Sequence, residues 1–233
     1  MGSKVFLITG ASSGIGEATA RRAAEAGFNV VLAARSSGKL ESLSDELGRD
    51  RSLAVTCDVS SIESQQNLLH QVFQRFGRID VVFANAGFSD GSRFHKGEAD
   101  LERWREMVLV NVFGAAATAR LTLPELVKSG GHILLTGSVA GRITSSPALY
   151  SATKWALTGI AQGIRNDVAG TGVRVTLLNP GAVETPFWDY LKKPDHEKWL
   201  YPDDVARAVL YAVNEPPHVD VNEILIRPTG QTN

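Results

Sequence analysis

The fold is decided near the amino terminus, by the stretch Val5-Phe6-Leu7-Ile8-Thr9-Gly10-Ala11-Ser12-Ser13-Gly14-Ile15-Gly16. Its apolar beginning has the composition of a buried strand, and residues 17–26 have a helical pattern. Glycines between a strand and a helix let the backbone approach a pyrophosphate, whose charge meets the helix N-terminus. The spacing is G-x-x-x-G-x-G rather than G-x-G-x-x-G, and glycine clusters often mark only turns. Because this cluster directly follows the first strand, we predict a dinucleotide-binding turn made by Gly10, Ser12, Ser13, Gly14, Ile15 and Gly16.

Short apolar runs alternate with helical patterns along the rest of the chain. They lie at residues 30–33, 53–55, 81–84, 132–135, 173–178 and 223–226. Continuous apolar runs are typical of parallel strands covered on both faces, and strand–helix alternation implies right-handed crossovers. We therefore predict an α/β fold, a Rossmann-type doubly wound parallel sheet of about seven strands in three layers, as one domain over residues 1–233. The ligand should bind at the carboxyl ends of the strands, where the strand order reverses.

Two helix starts carry sequence signals. Ser60-Ser61-Ile62-Glu63 has capping-box spacing, and apolar residues from Ile62 to Phe76 follow on one face. Pro202-Asp203-Asp204 predicts a second helix start, with acidic residues where the helix dipole favours them.

The composition is that of an ordinary globular chain, with 43% hydrophobic residues, 21% charged residues and a formal net charge of −1. No run of Lys or Arg indicates nucleic acid or an anionic membrane surface as a partner. The five histidines are scattered without ligand spacing, so we predict no metal site. Cys57 is the single cysteine, which suits a reducing compartment, and the first apolar run is too short for a signal peptide or a membrane span. We expect a cytoplasmic protein.

Further short motifs follow the glycine turn in a fixed order. They are Cys57-Asp58-Val59, Asn85-Ala86-Gly87, Asn111-Val112, Ser138, Tyr150-Ser151-Ala152-Thr153-Lys154 and Pro180-Gly181. With these motifs the chain resembles the short-chain dehydrogenase/reductase family from Lys4 to Arg227. The resemblance implies an oxidoreductase that moves a hydride between a nicotinamide cofactor and an alcohol/carbonyl pair.

The end of the second strand bears on the choice between NAD and NADP. An acidic residue there would bind the ribose 2′-hydroxyl, whereas a 2′-phosphate needs a cation. The chain has Leu32-Ala33-Ala34-Arg35 at this point, and a guanidinium suits phosphate. We therefore predict NADP(H), although Arg35 could instead be a solvated loop residue. By the resemblance, Asp58 and Val59 would contact the adenine, while Asn85, Ala86 and Gly87 would line the adenosine ribose or hold the central sheet.

The catalytic chemistry requires a group that gives a proton to the alkoxide or takes one from the alcohol. A tyrosine of ordinary pKa ~10 is a poor base, and a nearby positive charge would lower that pKa. Tyr150 and Lys154 are four residues apart on an expected helix, so their side chains share one face. We expect Lys154 to supply this charge.

The resemblance assigns the remaining site residues. Ser138 would hydrogen-bond the substrate oxygen, and Asn111 would hold a water that links the lysine to solvent. Pro180, Gly181, Val183 and Thr185 belong to a segment that would cap the nicotinamide and bind its carboxamide. Three of the catalytic candidates have a structural alternative: Ser138 as a turn residue, Asn111 as a helix hydrogen-bonder and Lys154 as a solvated side chain.

Other functions are open at this point. Gly137-Ser138-Val139-Ala140-Gly141 mimics the nucleophile elbow of serine hydrolases, but that function leaves the tyrosine–lysine pair and the glycine turn unexplained. A binding protein that only senses NADP(H) would have little need of a complete Ser-Tyr-Lys set. A reductase of 3-oxoacyl thioesters is a further alternative, although the glycine-rich ending common in such enzymes is absent. The carboxyl-terminal stretch looks like bacterial members that act on 3-hydroxy acids or small ketones.

Two regions concern the substrate and assembly. Residues 181–203 form a short substrate loop rich in aromatic side chains, which could be a mobile lid or could pack on the body. On the tyrosine helix, the face opposite Tyr150 carries Ala148, Ala152, Ala156, Gly159 and Gly163, with Trp155 alongside. A stripe of small residues lets another helix approach closely, either from the same chain or from a second copy. With the resemblance, it favours a homodimer or a tetramer with two-fold symmetry.

Overall fold

Parallel strands form one sheet at the centre of the molecule. The structure is a computed structural model that describes residues 3–95, 99–143, 148–189, 191 and 198–231. Within these residues the sheet has seven strands, in the order β3-β2-β1-β4-β5-β6-β7. Their bounds are β1 Val5–Thr9, β2 Asn29–Ala34, β3 Ser52–Thr56, β4 Val81–Ala84, β5 His132–Thr136, β6 Arg174–Pro180 and β7 Glu223–Ile226. The strand order reverses between β1 and β4, which confirms the predicted doubly wound fold.

The apolar character of the strands follows from helices on both faces of the sheet. Leu7 of β1 pairs with Val31 and Val82, and all residues of β1 are buried. One face packs under α3 (Ile62–Phe76), α5 (Ala115–Ser129) and α6 (Ala148–Asp167), and the other under α1 (Gly14–Glu25), α2 (Ser37–Leu47) and α7 (Pro202–Asn214). The edge strand β7 is the exception, because its residues alternate between exposed and half-buried. The three predicted layers are therefore present.

A long helix crosses one face of the sheet and contains an irregular turn. It runs from α4 (Leu101–Val108) through a π-helical turn, Leu109–Gly114, into α5. This Leu101–Ser129 segment is long and apolar enough to cross a membrane by length and composition, and 44% of its most apolar 18-residue stretch is buried. Its buried side includes Ala119 and Leu126, which belong to the same apolar cluster as residues of β4 and β5.

Two predictions about helix starts need correction. The N-cap of α3 is Ser61, whose hydroxyl accepts a hydrogen bond from the Ser64 amide at 3.2 Å. The predicted capping box from Ser60 is wrong, because Ser60 donates to the Asp58 carboxylate instead. Ile62, predicted on the buried face, is 52% exposed since it is the first residue of the helix. The start of α7 at Pro202 is confirmed, and the Asp204 carboxylate accepts from the Tyr201 amide at 2.7 Å.

Candidate active site

A cleft of about 870 Å³ opens at the carboxyl ends of the strands. Its walls include every predicted site residue except Gly16 and Asn111. A second groove, of about 860 Å³, lies on the outer side of the glycine turn and is lined by none of the predicted catalytic residues. The fold therefore gathers the separate sequence motifs into one cleft.

The glycine turn is shaped by close backbone contacts. Gly10 and Gly14 have φ angles of 68° and 56°, in the left-handed region that favours glycine. A Cβ on Gly16 would lie 2.2 Å from the carbonyl oxygen of Gly10, so no side chain fits there. Ser13 precedes α1 without a capping side-chain hydrogen bond, which leaves the first amides of this helix available to an anion. A dinucleotide pyrophosphate fits this cradle.

Asn85 serves the sheet as well as the cleft. Its amide nitrogen donates to the Thr9 carbonyl at 3.0 Å, and its amide oxygen accepts from the Thr136 hydroxyl at 3.0 Å. The side chain therefore ties together the ends of β1, β4 and β5. These contacts favour the structural interpretation of the Asn85 side chain, while Ala86 and Gly87 line the cleft beside it.

Two charged residues lie at the end of the cleft near β2 and β3. Arg35 is 60% exposed, and its guanidinium forms an ion pair with Glu106 of α4 at 3.0 Å. Burial opposes the charge of Asp58, but hydrogen bonds from Ser60 and the charge of Arg35 hold its pKa below the usual value. Val59 lies between this end of the cleft and the end of the π-helical turn, since a Cβ on Gly114 would be 2.8 Å from its side chain.

Tyr150 and Ser138 meet in the middle of the cleft. Tyr150 lies in the first turn of α6, Ser138 follows β5, and their hydroxyl groups form a hydrogen bond. The Ser138 hydroxyl also accepts from the Ala140 amide at 3.1 Å, which fixes its direction. Burial raises the pKa of Tyr150 to about 12, although the hydrogen bond to Ser138 acts the other way.

Lys154 is buried one helical turn after Tyr150. Its ammonium group donates to the Thr136 carbonyl at 2.8 Å and lies 5.6 Å from the centre of the Tyr150 ring. Burial lowers the pKa of Lys154 to about 8. The net shift of the Tyr150 pKa is upward, with burial as its largest cause, and a lowering of this pKa by the Lys154 charge stays a prediction. The alternative of Lys154 as a solvated side chain is wrong, since only 4% of the residue is exposed.

Asn111 lies in the π-helical turn, buried behind the catalytic groups. Its amide oxygen accepts from the Phe88 amide at 3.0 Å, and its nitrogen donates to the Phe88 carbonyl at 2.9 Å and the Thr153 hydroxyl at 3.1 Å. A Cβ on Gly87 would lie 3.2 Å from the Asn111 oxygen and 3.4 Å from the Lys154 nitrogen, so both side chains reach the same glycine. The π-helical turn was not predicted, and its one signal in the sequence is a lone asparagine in the apolar run of residues 107–113.

The predicted capping segment crosses the mouth of the cleft. Pro180 is the last residue of β6, and Gly181 follows it. The Thr185 side chain contacts Gly14 across the cleft and lies 3.0 Å from an ideal Cβ at that glycine. The Val183 carbonyl accepts from the Trp188 indole at 2.9 Å, which anchors the segment to its own aromatic residue. The loop therefore faces the glycine turn across the mouth of the cleft.

The described part of the substrate loop packs on the body of the protein. The Phe187 ring lies 5.6 Å from the Tyr150 ring, and Trp188 contacts both Phe187 and Trp199 edge-on. A Cβ on Gly91 would lie 2.7 Å from Leu191, which joins the loop to the segment after β4. Tyr190 and residues 192–197 of this predicted loop lie outside the described residues.

The small-residue face of α6 turns away from the cleft. Lys154, Leu157 and Ala161 are buried, whereas Ala152, Gly159 and Gly163 are exposed and Trp155 is 46% exposed. Nothing described lies within 4 Å of a Cβ built on Gly159 or Gly163. The alternative that a helix of the same chain covers this face is therefore wrong for the described residues. The side chain of Ala148 is not among them.

Comparison with known proteins identifies the family. Residues 4–196 match the family model for short chain dehydrogenases. An uncharacterized oxidoreductase of Staphylococcus aureus is 40% identical over 227 residues, which cover 97% of each chain. An alcohol dehydrogenase of the archaeon Thermococcus sibiricus, solved with 5-hydroxy-NADP, is 35% identical with a TM-score of 0.90, covering 99% of this chain and 98% of that one. A serine dehydrogenase solved in a closed form with NADP+ is 31% identical with a TM-score of 0.92, covering 98% and 96%. The chain belongs to the short-chain dehydrogenase/reductase family and is an oxidoreductase.

Proposed function

We propose that this protein is an NADP(H)-dependent oxidoreductase that interconverts an alcohol and its carbonyl compound, with Tyr150 as the acid/base. The observation that carries the proposal is the meeting of the Tyr150 and Ser138 hydroxyls and the Lys154 ammonium beside the glycine turn. The proposed unit is one domain over residues 1–233 acting in the cytoplasm, and the single cysteine, buried Cys57, is in keeping with a reducing compartment. NADPH supplies the hydride when it is bound.

The residues of the cleft have distinct proposed roles. In carbonyl reduction, the hydroxyls of Tyr150 and Ser138 both donate to the substrate oxygen, and Tyr150 gives up its proton as charge develops there. The raised pKa of Tyr150 keeps this proton in place at neutral pH. Lys154 stabilises the tyrosinate that remains. Asn111 holds the water that links Lys154 to solvent, through which a proton returns to the tyrosinate. Val183 and Thr185 hold the carboxamide of the nicotinamide, which orients the ring.

The alternatives explain fewer of these contacts. For a serine hydrolase, Ser138 would need a histidine, but the described histidines do not line the cleft, and His132 is buried against Thr176 at the other end of β5. A binding protein that only senses NADP(H) would not require Tyr150 and Ser138 to converge. An NADPH oxidation assay with a panel of ketones, aldehydes, 3-hydroxy acids and a 3-oxoacyl thioester tests the proposal. Carbonyl-dependent oxidation supports it, and its absence with every compound contradicts it.

Cofactor preference depends on Arg35 in this proposal. Its exposed guanidinium at the end of β2 lines the cleft and would bind the 2′-phosphate, and the known serine dehydrogenase of similar fold was solved with NADP+. We expect Arg35→Ala to reduce the preference for NADPH over NADH, measured as the ratio of kcat/KM values, by about 10- to 100-fold.

The control for this experiment is Arg49→Ala. Arg49 is an arginine of similar exposure, 62%, that forms ion pairs outside the cleft. Its replacement should leave the cofactor ratio unchanged. Equal kcat/KM values for the two cofactors in the wild type would end the assignment of Arg35.

Among the candidate substrates, the cleft favours one that carries an anionic group, such as a 3-hydroxy acid. Arg93 lines the substrate side of the cleft, is exposed, and pairs with no other described residue. The nearby Asp90 carboxylate is engaged by Ser92, and Asp58 is the one carboxylate among the described lining residues. Phe187 and Leu191 add apolar side chains to the lining of the same cleft.

We expect Arg93→Ala to raise KM for an anionic substrate by about 10-fold or more, because a charge-assisted contact is lost. The KM for a neutral ketone should stay the same, and Arg93→Lys should restore part of the affinity since it keeps the charge. Equal changes in KM for charged and neutral substrates would remove Arg93 from substrate recognition.

We further propose that α6 forms a two-fold interface between copies of the chain. Leu109 and Phe113 of the adjacent π-helical turn are about 40% exposed, and Trp155 is 46% exposed. Exposed apolar side chains beside a glycine–alanine face favour a helix of a second copy as the covering element.

We expect Ala156→Arg, and the more exposed Ala152→Arg, to produce smaller particles, because a two-fold contact meets each new charge twice. Light scattering measures this, with Ala169→Arg beyond the end of α6 as a control that keeps the assembly. A wild-type monomer of 25.0 kDa at micromolar concentration would contradict the interface.

A further inference from the structure

The Ser138 backbone is held by a buried side chain that the proposed mechanism does not use. Asn179, in β6, is fully buried, and its amide oxygen accepts from the Ser138 amide at 3.0 Å. A Cβ on Gly137 would lie 2.1 Å from the same oxygen. Only glycine fits at position 137, because the Asn179 side chain occupies the space that a Cβ would need. The direction of the chain entering Ser138 depends on this contact.

The other end of the Asn179 side chain is anchored to an ion pair. Its amide nitrogen donates to the Glu223 carboxylate at 2.8 Å. Two nitrogens of Arg142 donate to the two oxygens of Glu223, each at 2.6 Å. These contacts favour the ionised carboxylate and hold the pKa of Glu223 below its usual value, with Arg142 as the main cause. Asn179 is thus fixed at both ends of its amide.

Arg142 carries the chain of contacts back to the helix of the catalytic tyrosine. Its third nitrogen donates to the Thr158 hydroxyl at 2.6 Å, one turn after Lys154 on α6. The loop between Ser138 and Arg142 also touches that helix, since a Cβ on Gly141 would lie 2.7 Å from the Lys154 carbonyl oxygen. Hydrogen bonds therefore link Ser138 to Asn179 in β6, Asn179 to Glu223 in β7, and Glu223 through Arg142 to α6.

We infer that Asn179, Glu223 and Arg142 are positioning residues that set the Ser138 hydroxyl against the Tyr150 hydroxyl for the shared substrate oxygen. The inference rests on the proposed function, in which both hydroxyls contact that oxygen. Ser138 and Tyr150 belong to different elements, β5 and α6, and their relative placement needs a rigid link. The path through Asn179, Glu223 and Arg142 is such a link, and an error of about 1 Å in such a placement costs up to about 100-fold in rate.

The test compares Asn179→Ala, Glu223→Ala and Glu223→Gln in the whole enzyme with its best carbonyl substrate and NADPH. We expect kcat to fall by about 10- to 100-fold in the two alanine variants, with an unchanged Kd for NADPH. Glu223→Gln should recover part of kcat, because its amide oxygen still accepts from Asn179. Glu223 lies on the exposed edge strand, so its variants remain informative if Asn179→Ala fails to fold.

Arg78→Ala is the matched control. Arg78 binds the Asp80 carboxylate with the same two-point geometry, at 2.9 and 2.6 Å, just before the central strand β4. Its loss should lower stability and leave kcat unchanged. A fall in kcat equal to that of Glu223→Ala would show that general destabilisation is the cause, and would overturn the inference.

A double-mutant cycle separates positioning from other effects. If Asn179 acts through Ser138, Asn179→Ala should change kcat by less than about twofold in a Ser138→Ala background. A full multiplicative effect in that background overturns the inference. Failure of the proposed function itself would give a different result, because the single variant Ser138→Ala would have a near-normal kcat.

Discussion

Tyr150→Phe is expected to lower kcat by about 10²- to 10⁴-fold, because the variant keeps the ring and loses the proton donor. Burial raises the pKa of Tyr150 to about 12, so the hydroxyl holds its proton throughout the neutral range. In the proposed mechanism this proton is the one given to the substrate oxygen, and oxidation of the alcohol requires added positive charge to lower the pKa. NADPH binding, measured by nicotinamide fluorescence, should survive the substitution.

Tyr211→Phe is the control for this variant. Tyr211 lies on α7, is 58% exposed and does not line the cleft, so the loss of its hydroxyl should leave kcat unchanged. A Tyr150→Phe enzyme with near-normal kcat would show that the acid/base lies elsewhere.

Lys154→Ala is expected to impair both proton transfer and NADPH binding. The buried ammonium is the cation next to the Tyr150 ring, and its loss removes the charge that would stabilise the tyrosinate. We expect a fall in kcat of about 10²-fold or more together with a weaker Kd for NADPH. Lys128→Met, at an exposed lysine that pairs with Glu125, should change neither.

The pH dependence of the wild type gives a second test of Lys154. Burial lowers the pKa of Lys154 to about 8, so the side chain is charged below that pH and loses its charge as the pH rises through it. Because kcat/KM for NADPH reports groups of the enzyme before the cofactor binds, kcat/KM for NADPH in carbonyl reduction should fall as the pH rises through about 8. A constant kcat/KM across that range would contradict the role of the Lys154 charge.

The sheet was predictable because its signals are local. The strands β4 and β7 have the predicted bounds, 81–84 and 223–226, and the other strands differ by one or two residues at their ends. The glycine turn and the Tyr150–Lys154 pair were also readable, since each depends on a short stretch with a known backbone geometry. Parallel strands then bring the motifs that follow them to one edge of the sheet.

What the sequence did not reveal depends on contacts between distant segments. Arg142 and Glu223 are 81 residues apart, and neither has a local pattern that predicts the pair. Asn111 in the π-helical turn donates hydrogen bonds to Phe88 and Thr153, which are 23 and 42 residues away along the chain. The upward direction of the Tyr150 pKa was not readable either, because burial, its largest cause, is a tertiary property.

The most direct test of the central proposal follows the transferred hydride. The purified protein is incubated with a carbonyl substrate from the panel and with NADPH carrying deuterium at the transferable position, and the product is analysed by mass spectrometry. Direct transfer from nicotinamide to the carbonyl carbon predicts an alcohol with deuterium on the carbinol carbon. An alcohol without deuterium there, or no alcohol from any carbonyl compound of the panel, would contradict the proposed reaction.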